Sequence, residues 1–214
     1  YLELSSINPV FILPGAIEER FEGIATEFTG SCLMGTGQFC TNPGLVVVPA
    51  NAAGNGFIKT VAEKFANAAV GTLLSEGVRK SLAAGIETLQ KAGVEIVAGG
   101  KSGGGNGVSF SNTLMIIGGS RFLEDPEVFQ TEAFGNGSLV VLADDVAQMV
   151  AIAESLEGNL TGCVYSDTNG SDDTSYAAIE PALRTKVGRL LNDRMPTGVA
   201  VSAAMNHGGP FPST

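Results

Sequence analysis

Apolar residues along this chain fall into two rhythms. Short, mostly apolar runs at 8–13, 44–48, 94–97, 114–117, 138–142 and 160–165 read as strands, and residues 44–48 have the unbroken look of a strand buried on both faces. Between them, apolar positions return every three or four residues. Ile17, Phe21, Ile24 and Phe28 mark one helix, which Cys32 and Met34 extend. A second runs from about Phe57 through Val61, Phe65 and Ala68. A third runs from an N-cap at Ser75 through Val78, Leu82, Ile86 and Leu89 to Gly93, a residue suited to follow a helix end. A fourth begins at Asp144 and carries Val146, Met149, Val150, Ala153 and Leu156.

Residues 125–136 read as a polar connection. Helical pattern returns near Asp173 and is expected to break at Pro181, since proline suits the first turn of a new helix better than the interior of an old one. Residues 188–192 and 198–201 read as short last strands, and 207–214 as an irregular Gly/Pro tail. Strands alternating with helices predict an α/β fold, a three-layer α/β/α sandwich around a mainly parallel sheet, with no repeat and no linker.

At 214 residues the chain can bury a substantial core without staples. Its three cysteines, Cys32, Cys40 and Cys163, lack any C-x-x-C spacing, which argues against a metal cluster and for a reducing compartment. Asp and Glu outnumber Lys and Arg 22 to 12, and no basic run occurs, which argues against nucleic acid and anionic membrane as partners. No apolar run could span a bilayer and no signal-like segment opens the sequence; a cytoplasmic location is expected. The N-x-S/T matches at Asn136, Asn159 and Asn169 are then incidental.

The stretch that stands apart is Gly35-Thr36-Gly37-Gln38-Phe39-Cys40-Thr41-Asn42-Pro43-Gly44. Free cysteines are commonly small buried hydrophobes, and Cys32 and Cys163, on an apolar helix side and in a strand, fit that description. Cys40 sits among turn formers, where a thiol can be presented as a nucleophile. Its activation needs a base, and the single histidine is His207 in the tail. Gly99-Gly100-Lys101-Ser102 suggests a phosphate loop, but Glu95 stands where that pattern needs its first glycine and no helix pattern follows. No G-x-G-x-x-G opens a helix after a strand, so no complete dinucleotide-binding unit is found.

Three stretches in order, Glu3-Leu4-Ser5-Ser6-Ile7-Asn8-Pro9, Gly37-Gln38-Phe39-Cys40 and Glu132-Ala133-Phe134-Gly135, resemble the signatures E-L-G-G-K-x-P, G-Q-x-C and E-x-F-G-P of the aldehyde dehydrogenase superfamily. The stretch from Gly37 to Leu45 and the ending from Pro196 to Pro212 resemble its branch of α-ketoglutaric semialdehyde (2,5-dioxovalerate) and NADP-dependent fatty aldehyde dehydrogenases. The chain departs from the general pattern at Ser5-Ser6-Ile7, at Gly44, and at Asn136, where the family has proline.

The resemblance implies that Cys40 is the nucleophile and Glu3 the general base. It implies that Glu132 and Phe134 hold the nicotinamide riboside of NADP or NAD, and that His207 and Phe211 line the substrate tunnel; no metal is implied. It further implies that residues 1–214 are a catalytic domain alone. The cofactor domain, with the adenosine site, and the last oligomerisation strands would lie elsewhere in a longer, homo-oligomeric enzyme acting on a small aldehyde, and the isolated chain would not oxidise aldehydes at a useful rate. Two other readings stay open: a non-catalytic scaffold domain, and a thiol hydrolase using Cys40 with His207.

Overall fold

The computed structural model describes residues 4–198, 202–205 and 207–213. Seven strands form one sheet: β1 (Val10–Ile12), β2 (Leu45–Pro49), β3 (Glu95–Ala98), β4 (Thr113–Gly118), β5 (Gly137–Ala143), β6 (Asn159–Tyr165) and β7 (Val187–Asn192). Their spatial order is β3-β4-β5-β2-β1-β6-β7, and every neighbouring pair is parallel except the antiparallel β3 and β4.

Helices cover both faces, which is why β2 can be apolar at every position. Val10, Ile12, Val46 and Val48 point to one side, against α1 (Pro14–Leu33) and α2 (Ala52–Asn67), where Phe28 packs on Phe57 and Phe65 with ring centroids 5.9 and 6.1 Å apart. Phe11, Leu13, Leu45 and Val47 point to the other, against α3 (Glu76–Lys91), α4 (Gly119–Glu124), α5 (Pro126–Phe129), α6 (Val146–Ser155) and α7 (Asp173–Arg184). The alternation of strand side chains thus feeds two separate cores and gives the expected three layers.

Several boundaries differ from the sequence reading. Helix α2 starts at Ala52, not Phe57: its first turn, Ala-Ala-Gly-Asn-Gly, has no apolar period, because Gly54 lies where a Cβ would meet the Pro49 carbonyl oxygen at 2.0 Å. Helices α4 and α5 were missed because six and four residues are too few to show a period. Helix α7 does not break at Pro181. Its last turn carries Leu183 onto the same core as Ile179, and that burial offsets the lost N–H bond. Most of the expected strand at 198–201 lies outside the described residues, and Gly198 itself sits in a turn.

Candidate active site

Three of the loops that hold sequence-predicted residues lie at the amino-terminal ends of neighbouring parallel strands. Residues 4–9 enter β1, 38–44 enter β2 and 130–136 enter β5. The tail joins them: a Cβ on Gly188, in β7, would stand 1.7 Å from the Gly208 carbonyl oxygen, and Thr197 Oγ1 donates to the Thr41 carbonyl at 3.3 Å.

The Cys40 loop owes its shape to what precedes it. After α1 the chain makes a left-handed turn in which Gly35, Thr36 and Gly37 have φ of 56°, 61° and 68°. Glycine takes this conformation freely; a β-branched threonine there is strained, a cost of about 1–2 kcal/mol. Gly37 is fixed for a second reason, since a Cβ on it would fall 2.0 Å from the carbonyl oxygen of Gly135. The backbones of the two loops therefore touch, and Asn42 Nδ2 donates to the same Gly135 carbonyl at 3.2 Å. Gln38 ties the turn to the approach to α3: its Nε2 donates to the carbonyls of Gly35 and Thr72, and its Oε1 accepts from Leu74 N–H.

The loops frame an open groove of about 440 Å³ whose walls include Leu4, Ser6, Phe39, Cys40, Glu132 and Phe134. Cys40 is half-buried, with Sγ 3.3 Å from Nε2 of the exposed His207 across 167 residues of sequence. The Ser6 N–H points to Glu132 Oε1 at 3.5 Å. Neither His207 nor Phe211 is among the groove's lining residues; His207 reaches it only through Cys40, while Phe211 is 78% exposed and its carbonyl accepts from Gly158 N–H. Glu3 lies outside the described residues, and its neighbour Leu4 lines the groove.

The other two thiols are chemically distinct. Burial pushes both Cys32 and Cys163 up to about 12, so each stays a thiol at neutral pH. A half-buried thiol beside an imidazole nitrogen can pass its proton to that nitrogen and attack a carbonyl carbon. Among the described residues no group of three or more His, Cys, Asp or Glu could hold a metal ion, and no helix is long and apolar enough to cross a membrane.

Sequence reasoning overlooked the amides that hold these loops. Asn8 and Asn159, both buried, bond residues 6–8 to the Cys40 loop and to β6. Asn159 looked like an incidental glycosylation match. Asn136, standing for the family's proline, is also fully buried, and its Nδ2 donates to the Phe110 carbonyl and Asn112 Oδ1, which fastens the Glu132–Gly135 loop to the start of β4. The available signal was an asparagine inside each otherwise apolar or glycine-rich junction.

The chain is 38% identical over its whole length to α-ketoglutaric semialdehyde dehydrogenase 2 of Azospirillum brasilense and 35% identical to α-ketoglutaric semialdehyde dehydrogenase of Acinetobacter baylyi. It spans 40% of the length of each. Among solved structures, betaine aldehyde dehydrogenase of Staphylococcus aureus, in complex with NAD+, superimposes on 97% of this chain and 41% of its own with a TM-score of 0.78 at 20% identity, a likeness of fold. Residues 1–206 match the profile described as "Aldehyde dehydrogenase family". By that match, over nearly all of its length, the chain belongs to the aldehyde dehydrogenase family.

Proposed function

We propose that the chain is the catalytic domain of a longer NAD(P)-dependent aldehyde dehydrogenase that oxidises a semialdehyde such as 2,5-dioxovalerate to the carboxylate. The observation that carries this reading is the single groove that gathers Cys40, Glu132 and Phe134 from distant stretches of sequence. The semialdehyde preference rests on the two α-ketoglutaric semialdehyde dehydrogenases among its relatives. The small-molecule substrate, the homo-oligomeric assembly and the cytoplasmic location belong to the same proposal.

The groove suits a nicotinamide riboside: a carboxylate, Glu132, can accept from ribose hydroxyls while the Phe134 ring packs beside the base, on the same wall system as the thiol. The bound nicotinamide would supply a hydride acceptor. The chain's own residues do the rest. His207 Nε2 accepts the thiol proton as Cys40 Sγ bonds to the aldehyde carbon. The oxygen of that adduct becomes an oxyanion within reach of preorganised donors, of which the Cys40 backbone N–H is one. Loss of hydride from the adduct leaves a thioester on Cys40. Glu3, as general base, takes a proton from water, whose oxygen displaces Sγ and releases the carboxylic acid.

The test is a panel of semialdehydes and fatty aldehydes with both cofactors on the full-length protein. Oxidation of a semialdehyde is expected, and Cys40→Ser should lower kcat/KM roughly a thousandfold, since a serine hydroxyl is a far poorer nucleophile at neutral pH. Retained turnover in that variant would remove Cys40 from the role. The 3.3 Å approach of His207 to Cys40 also favours a second reading, hydrolysis of activated esters without cofactor. Ester hydrolysis that survives Glu3→Gln and disappears in His207→Ala would select it.

A further inference from the structure

We propose that Asn8 is a positioning residue for the nucleophile, acting through the Cys40 peptide. This rests on the reading of Cys40 as the reacting thiol. Asn8 is fully buried and holds φ at 47°, a left-handed conformation that asparagine tolerates better than most side chains. One amide group there meets three parts of the molecule. Its Nδ2 donates to the carbonyls of Cys40 and Asn42, both at 2.9 Å, and to that of Ser6 at 3.2 Å. Its Oδ1 accepts from Ser6 Oγ at 3.0 Å, from Thr161 Oγ1 at 2.9 Å and from Thr161 N–H at 3.3 Å.

The network is closed from behind. Asn159 Oδ1 accepts from the backbone N–H groups of Ile7 and Asn8 at 2.8 and 3.1 Å, so the residue that grips Cys40 is itself gripped by the first residue of β6. Both atoms of the Asn8 amide are thus used, and the acceptor side is anchored in the sheet. The donor side fixes two carbonyls that flank the Thr41 peptide. Rotation of the Cys40 peptide would break the Asn8 bond at once, and with it the direction in which Cα–Cβ carries Sγ toward His207. A neutral amide suits the place: it can donate to carbonyls, and it sets no fixed negative charge beside a thiol that must become a thiolate.

Asn8→Asp is isosteric, keeps the Oδ1 acceptor and tolerates the left-handed backbone, but turns an oxygen toward three carbonyl oxygens. Asn8→Gly fits the positive φ and simply deletes the amide, so it keeps the question open to measurement if the aspartate variant fails to fold. Asp172→Asn, distant from the groove, provides a comparison of altered stability. In the full-length protein, both Asn8 variants are expected to lower kcat at least tenfold with KM within twofold. They should also slow iodoacetamide alkylation of native Cys40 at least fivefold, with Cys40→Ser as background. Asp172→Asn should change the urea midpoint and leave kcat and alkylation as they were.

Alkylation and kcat within twofold of wild type in an Asn8 variant would overturn the proposal, as would losses in Asp172→Asn equal to those at Asn8 for the same shift of midpoint. The alkylation arm needs no cofactor and no aldehyde. It therefore reports on Asn8 even if the full-length protein proves not to be a dehydrogenase.

Discussion

The two ends of the parallel sheet use polar side chains for opposite purposes. At the carboxyl-terminal end, Asn51 and Asp145 accept from the N–H groups of Gly54 and Gln148 and so cap α2 and α6, each within its own turn. Asp172 does the same at long range. Leu13 cannot cap α1, and the buried Asp172 carboxylate instead accepts from Gly15 and Ala16 N–H, both at 2.8 Å, and from Asp167 N–H at 2.9 Å. At the amino-terminal end the buried holders are neutral amides, Asn8, Asn42 and Asn159, bonded to loop backbone. Asp145 and Asp172 add a carboxylate's charge at the positive end of a helix, where Asn51 caps as a neutral acceptor; at the other end the amides place no charge beside the Cys40 thiol. One end secures the helices, and the other holds a half-buried thiol in place.

On that division, substitutions at the amino-terminal end should cost activity out of proportion to stability. Gly37→Ala is the strongest probe. Its Cβ must displace the Gly135 carbonyl from 2.0 Å and adopt a φ of 68°. We expect kcat/KM of the full-length enzyme to fall about a hundredfold, as a shift near 1 Å in a reacting group does. Wild-type kinetics in this variant would dissolve the link between the two loops.

Asp172→Ala is the mirror case. Three N–H groups lose a charged acceptor, so chemical denaturation should show a loss of about 2–4 kcal/mol with kcat unchanged. A fall in kcat matching the loss of stability would mean that the two ends are not separable. Asn51→Ala and Asp145→Ala delete local caps and should each cost about 1 kcal/mol by the same measurement. The smallest effect concerns acid. Backbone N–H donation, chiefly from Asp172, holds the Asp167 carboxyl down at about 2. A carboxyl lowered on folding contributes stability above its unfolded value near 4, and that contribution is lost as pH falls through about 2. Asp167→Asn should flatten the pH dependence of stability between about pH 4 and pH 2 and leave it unaltered near neutrality.

The same division explains what could be read from sequence. Strand cores such as Leu45–Pro49 were legible because burial on both faces demands apolar residues at every position, and Ser75 was legible because its cap acts on Val78 within the same turn. The three signature stretches gave the order of the candidate residues. What stayed hidden depends on contacts across many residues: Asp172 reaching α1 and Asn8 reaching the Cys40 carbonyl. The approach of His207 to Sγ was open to expectation only by inventory, as the one histidine in the sequence. A histidine in a Gly/Pro tail carries no local sign of the thiol it approaches. The strand expected from residue 8 begins at Val10, and the burial of Asn8 before it leaves no local sign, because an asparagine before proline looks the same in sequence whether or not it is buried.

The touching backbones of Gly37 and Gly135 bear on how such enzymes can be recombined. Where a carbonyl oxygen occupies the place of a side chain, the loop that ends in Cys40 and the loop that carries Glu132 and Phe134 share one surface with no tolerance between them. A chimera that imports either loop from a relative inherits half of a fitted joint. Exchanging both together preserves it, so the two loops form one transferable cassette, although β2, β3 and β4 separate them in sequence. Across that seam Asn42 Nδ2 donates to the Gly135 carbonyl, Ser138 Oγ to that of Pro43 and Leu139 N–H to that of Gly44.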